Sequence, residues 1–231
     1  MYAIIDKRTP LEVKKNLEKY VDDIFEFSSE DITYNAISGH PDIFMFQDAN
    51  KLIIAPNTTK ELINFLDKKA VNYTFGTNPV GKNIDNSVLY NCLSTKKYFF
   101  CKKGKPDISI QKWCSLKQLV NIPQSYARCS MFTLDDTIIT SDNGIVKALK
   151  KAEIAYFYFD PSEIRIIDHK NGFIGGTMGM IDNKVLFLGN ILKHKDGKAL
   201  DKYIATLKKE TICLGNDYLY DGGGLFFVSS K

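Results

Sequence analysis

One order of events recurs along this chain and restricts its fold more than any single motif. An apolar strand, a polar turn and a second apolar strand with Asn or Asp after it are followed by an amphipathic helix and a third strand. In the first copy the strands are predicted at 43–46 and 52–55 about a turn at 48–51. Asn57 offers the helix cap, Glu61, Leu62, Phe65 and Leu66 share one helical face, and 71–75 returns as strand. The second copy sets strands at 131–134 and 137–140, Asp142 as cap, Val146 and Leu149 in the helix, and a strand at 154–159. The third sets strands at 178–181 and 185–188, Asn190 as cap, a helix at 199–207 and a strand at 211–214.

The three caps are 85 and 48 residues apart, so a further unit fits in the first gap, with strands at 89–94, 98–101 and 119–122 and a weak helical stretch near 110–114. A fifth is split between the termini. Its first strand is 225–228 and its second is 2–5, after which Thr9 and Pro10 open a helix over 11–20 and 24–27 closes the unit. The expectation is an α/β chain, one domain over 1–231, with five ββαβ units in a ring closed by pairing the terminal strands. The alternative on the same pattern is an ordinary α+β sandwich.

Charge and cysteine usage narrow the function class. The 31 basic and 27 acidic residues give a net charge of +4 without a basic block, so nucleic acid is not an expected partner; Lys102, Lys103 and Lys105 read as a solvated hairpin end. Five cysteines without a C-x-x-C pair fit a reducing compartment. The apolar start at 1–6 is too short for a signal segment or a span, so the chain is expected in the cytoplasm, off the membrane. Neither the His nor the Cys spacing forms a zinc cluster, and the stretch 172–179 is not a dinucleotide fingerprint, so no metal and no cofactor are expected. The sequence carries no signal for oligomeric state.

The repeat resembles the pentein superfamily of guanidino-group-modifying enzymes, whose propeller-like fold sets five ββαβ units around a funnel. Two local motifs carry the same resemblance: Gly39-His40-Pro41-Asp42 is similar to the Gly-His-x-Asp of deiminases, and Asp221-Gly222-Gly223-Gly224-Leu225 to the glycine run entering their last strand. The chain departs from the family where agmatine-deiminase-like members place the nucleophilic Cys four residues beyond that run, since Val228 stands there. The Gly-His-x-Asp motif also falls in an early unit rather than a late one.

With first strands lining the funnel, the candidates for chemistry are His40 and Asp42, two apart and so on one face of a strand, and Cys129, where the adjacent Arg128 could lower the thiol pKa or face away. Cys92 and Ser94 fall on the same ring of first strands. Asp221 and Gly223, together with Gly175 and Gly176, provide backbone that a ligand approaches closely. His169 and His194 read as solvated loop residues, and Trp113 and the aromatic run 156–159 as core or rim.

Two functions follow. In one, Cys129 attacks a small guanidino or amide-bearing molecule, His40 moves protons, and Asp42, Asp221 and Arg128 hold the substrate beside Gly223 and Gly175. In the other, the funnel binds a small cationic or amino-acid-like molecule without catalysis.

Overall fold

A computed structural model describes residues 1–49 and 51–230. Its strands form five three-stranded sheets with one shared plan: an inner strand antiparallel to a middle strand, which is parallel to an outer strand reached through a helix or helical turn. The inner, middle and outer strands are Met45–Asp48, Lys51–Ile54 and Thr74–Phe75 in the first unit, and Leu93–Ser94, Tyr98–Cys101 and Gln118–Asn121 in the second. The third unit has Met131–Leu134, Thr137–Thr140 and Tyr156–Tyr158, and the fourth Met178–Ile181, Lys184–Phe187 and Glu210–Cys213.

The fifth unit joins the termini. Phe226–Val228 pairs antiparallel with Tyr2–Asp6 in the register Tyr2 to Val228, and Asp23–Phe27 completes the sheet in parallel. Gln47 Nε2 donates to the Phe227 carbonyl at 2.7 Å, tying the first inner strand to the last. The five-fold α/β architecture expected from the repeat is the one observed.

In the helices Lys60–Lys68 and Asn143–Lys151 an apolar stripe and a side-chain cap coincide. Helix Asn143–Lys151 buries Ile145 and Leu149, and Asp142 caps it by accepting the Ile145 amide at 2.8 Å. Such a cap contributes about 1 kcal/mol and each fully buried aliphatic side chain about 1.5–3 kcal/mol. Helix Lys60–Lys68 presents Leu62 and Leu66 to a core that includes Phe46, Ile53 and Val228. Among the described residues no helix is long and apolar enough to cross a membrane.

Several expected details move. The predicted strand 43–46 begins as a helical turn, Pro41–Phe44, with strand only from Met45, because Pro at the first helical position pre-sets the turn. Asn57 does not cap its helix: its amide exchanges two 2.9 Å hydrogen bonds with the Val80 backbone, and Thr59 accepts the Leu62 amide instead. Helix Leu11–Leu17 starts after Pro10 and stops short of Tyr20, with no side-chain cap from Thr9. Asn190 caps the short turn Ile191–Lys193, while the long helix begins at Gly197.

In the weak unit only Leu93–Ser94 of the predicted strand 89–94 is extended, and Thr74–Phe75 is all that remains of 71–75. Of the turn expected over 48–51, Asn50 lies outside the described residues. His194 is buried, not solvated. Its ring stacks on Phe159 at 4.2 Å, Nδ1 accepts the Asp196 amide at 3.0 Å, and Nε2 lies 2.8 Å from the Ser162 carbonyl.

Candidate functional site

Each inner strand is entered by a tight segment, and these segments position the site. They are the turns Pro41–Phe44 and Ala127–Ser130, the 3-10 turn Ile174–Thr177, the loop through Asn91, and the glycine run 222–224. Gly223 and Gly224 have φ of +71° and +79°, a region glycine occupies freely, and a Cβ at Gly223 would stand 2.6 Å from His40 Cβ and 2.8 Å from Asp42 Oδ1. That close approach lets the run pass directly over His40 and Asp42. His40 and Asp42 therefore share a site through a helical turn rather than through strand alternation.

The cluster they form is buried. Cys129 Sγ donates to Asp42 Oδ2 at 2.8 Å, and Asn91 holds the pair: Nδ2 lies 3.2 Å from both Cys129 Sγ and the Asp42 carbonyl, and Oδ1 accepts the Cys129 amide at 3.2 Å. One donor atom each from His40, Asp42 and Cys129 falls within 4.8 Å of the others, a grouping able to hold a metal ion. Both ring nitrogens of His40 and Asp42 Oδ1 are buried without a hydrogen-bond partner. Asp6 Oδ2 stands 3.9 Å from His40 Nε2 and carries Arg8 as its own partner at 2.7 Å. Asp221 accepts the Phe173 and Gly223 amides at 2.8 and 3.2 Å.

Burial governs the electrostatics. It pushes the Asp42 carboxyl up to about 6 against the Cys129 hydrogen bond and the Arg128 charge, and the Asp221 carboxyl up to about 6 against His40. The His40 imidazole is held down by burial, against the charges of Asp221 and Asp6. Burial, reinforced by the charges of Asp42 and Asp221, raises the Cys129 thiol well above its ordinary value. Arg128 does not reverse this: of the two orientations left open by the sequence, its guanidinium takes the one that faces away from the thiol. The site at neutral pH holds a protonated thiol, a neutral imidazole and two carboxyls near their titration range.

His40, Cys129 and Asp221 reach a cavity of about 480 Å³ whose walls include Tyr34, Tyr126 and Phe173, a size suited to a small molecule. Tyr126 Oη pairs with Ser87 Oγ at 2.7 Å and with Tyr34 Oη at 3.1 Å. His169 and Lys170 lie at its exposed rim.

Arg128 turns to a different cavity of about 310 Å³, which is lined by residues of all five inner strands. There its guanidinium donates to the Gly175 and Met178 carbonyls at 2.6 and 3.1 Å and lies over the Phe132 and Phe226 rings. Gly175 packs directly under the carbonyls of Arg128, Cys129 and Met131, where no Cβ fits, so the backbone expected to lie open to a ligand at Gly175 is instead packed within a 3-10 turn. Cys92 and Ser94 line this second cavity. Val228 lies in the inner strand paired with Tyr2.

Sequence reasoning missed Asn91, Asp6, Tyr34 and Tyr126. Asp6 was visible only as the polar end of an apolar strand, and Asn91 as a polar residue within the apolar run 88–93.

No curated protein matches this chain. Among solved structures, Campylobacter jejuni agmatine deiminase superposes with a TM-score of 0.53 at 11% identity over 94% of this chain and 87% of that one. Dimethylarginine dimethylaminohydrolase gives 0.53 at 11% identity over 94% and 92%. The amidinotransferase SxtG of Microseira wollei gives 0.50 at 9% identity over 92% and 88%. Likeness at this level of identity concerns the fold, and that fold is the pentein propeller. The model of the family of unknown function DUF6873 matches residues 4–226, nearly the entire ring, and this pentein-fold chain belongs to that family.

Proposed function

We propose that the chain is an enzyme that breaks a C–N bond of a small guanidino or amide-bearing molecule, with Cys129 as nucleophile. The observation that carries this reading is the Cys129 thiol donating to Asp42 Oδ2 at 2.8 Å on the floor of a cavity, with the unpartnered His40 imidazole beside it. A nucleophile needs a base within hydrogen-bond reach, and a second group must move protons to the leaving amine and from water.

For a guanidino substrate, Cys129 Sγ bonds to the central carbon as its proton passes to Asp42 and, through His40, to the leaving amine while the C–N bond breaks. His40 then takes a proton from the attacking water and returns it to sulfur as the C–S bond breaks. The sum is hydrolysis to amine and urea; an acceptor amine in place of water makes the same site a transferase. Asp42 and Asp221 face the substrate cation.

The high thiol pKa sets a condition on this chemistry. A guanidinium between Asp42 and Asp221 cancels the negative field that holds the proton on sulfur, so the thiol ionises in the complex rather than in the free protein. A cationic haloacetamidine is therefore expected to alkylate Cys129 at least tenfold faster than the isosteric neutral haloacetamide, read by mass spectrometry. Equal or slower labelling by the cation sinks the mechanism. Cys129→Ala is expected to abolish turnover across a panel of guanidino compounds.

The neutral, buried thiol is also the observation that favours a second reading, a non-catalytic binder of small cations. Saturable binding of a guanidino compound, unchanged in Cys129→Ala and without any adduct, selects it.

A further inference from the structure

We propose that His40, Asp42 and Cys129 form a binding site for one thiophilic divalent cation of the Zn²⁺ type, and that the cation holds the enzyme inactive by occupying its nucleophile. The binding stands on the geometry alone, whereas the inhibition rests on the function proposed above.

Three observations point to the cation. First, one donor atom from each residue falls within 4.8 Å of the others, and the Cys129 to Asp42 pair is already at 2.8 Å. Tetrahedral zinc with bonds of about 2.0–2.3 Å needs donors about 3.3–3.8 Å apart, so the Cys129 to Asp42 pair opens by less than about 1 Å while the widest pair closes by about 1 Å, shifts within reach of side-chain rotation. Second, both His40 nitrogens and Asp42 Oδ1 are buried and unpartnered. Buried polar atoms without partners are uncommon in native proteins, and a cation satisfies a ring nitrogen and the carboxylate at once. Third, the donor set is selective. One thiolate, one imidazole and one carboxylate suit zinc and exclude magnesium and calcium, which take oxygen ligands.

The charges close as well. Zn²⁺ against a Cys129 thiolate and an Asp42 carboxylate is neutral within the first ring of ligands, and Asp6 lies behind the imidazole. Binding replaces the S–H bond with an S–Zn bond and releases one proton to solvent; nothing is oxidised or reduced. His40 and Cys129 line the 480 Å³ cavity, so the fourth coordination position opens to it for water or a displacing ligand.

The test uses the full chain freed of metal with a chelator. Zn²⁺ titration against a competing chromophoric chelator is expected to show one site per chain, weakened at least tenfold in both Cys129→Ser and His40→Gln. Circular dichroism checks that both variants fold, and Asp42→Asn provides a third if either does not. Co²⁺ in place of Zn²⁺ is expected to give a thiolate-to-cobalt charge-transfer absorption that vanishes in Cys129→Ser, and Zn²⁺ is expected to protect Cys129 from the haloacetamidine. Equal Zn²⁺ affinity in wild type and folded variants, or cobalt binding without the charge-transfer band, overturns the proposal. Cys129 labelled by haloacetamidine in a chain that binds no zinc overturns this inference and leaves the proposed function standing. A one-zinc site on an unlabelled Cys129 does the reverse.

Discussion

Asp42→Asn tests the electrostatics of the site through stability, because the wild-type residue is held where its charge is costly. Burial raises the carboxyl from 3.8 to about 6, so the folded chain binds that proton more tightly than the unfolded chain does. Between those two values the folded state carries the extra proton, and its stability falls as pH rises. The stabilising effect of the proton is fully present below about pH 4 and lost above about pH 6. Two units correspond to about 3 kcal/mol.

Asn keeps the shape and never ionises. A buried amide with an unpartnered atom still costs about 1–2 kcal/mol, which leaves a net gain of about 1–2 kcal/mol at about pH 8. For a chain of this size that gain raises Tm by about 2–8 °C. Thermal unfolding with a chelator present, followed by circular dichroism at about pH 8 and about pH 4, should show the variant more stable at the higher pH. At the lower pH the gain disappears, because the wild-type carboxyl is then protonated as well. Turnover of any substrate should collapse in the same variant, since the thiol loses its base. A variant less stable than wild type by the same amount at both values would refute the reasoning and make Asp42 a structural acceptor.

Two further substitutions test the scaffold around the cluster. Gly223→Ala forces a Cβ against His40 and Asp42 at φ +71°, and chemical denaturation should show a loss of more than about 2 kcal/mol. Gly104→Ala, at φ +81° with nothing within 4 Å, should lose only about 1 kcal/mol, and equal losses would remove the packing argument. His194→Ala strands the Asp196 amide and the Ser162 carbonyl and removes the stack on Phe159, for an expected loss of about 2–4 kcal/mol; a neutral result would show that the segments around Ser162 and Asp196 repack.

The ring was legible because each unit repeats one hydrophobic rhythm. Strands 131–134, 137–140 and 178–181 lie where alternation and turn residues place them, and the termini pair as the split unit requires. The entry segments were not legible. Four-residue turns such as 41–44 and 127–130 are too short to show a 3.6-residue period, and they read as the apolar strands that follow them. The candidates still met, since either conformation delivers them to the mouth of an inner strand. Arg128 and Cys129 illustrate the limit: adjacency in sequence left open whether the guanidinium faces the thiol or turns away, and the turn sends the guanidinium to one cavity and the sulfur to the other. His194 misled in the opposite direction, because a Lys-rich context hides a ring buried against Phe159.

The pseudo-symmetry also fixes where Cys129 stands relative to Val228. The inner strands begin at Met45, Leu93, Met131, Met178 and Phe226, five apolar residues that each open the antiparallel pairing of their strand. Two positions before each start stand Ile43, Asn91, Cys129, Gly176 and Gly224. Those five positions are equivalent under the repeat, and each is carried on a segment that enters the funnel. At Gly176 a Cβ would collide with the Asp221 carboxylate, and at Gly224 one would stand 2.7 Å from Arg128 Nη2, so the two glycines give room to the neighbouring charged side chains. Asn91 clamps Cys129 from the adjacent unit. A ring of this kind has five interchangeable places from which to present a side chain, and packing fixes only that some of them stay small. Val228 is not one of these five places: it lies four residues beyond Gly224, inside the inner strand and buried opposite Tyr2, so a side chain there serves the sheet, whereas Cys129 stands on a segment that opens before its strand.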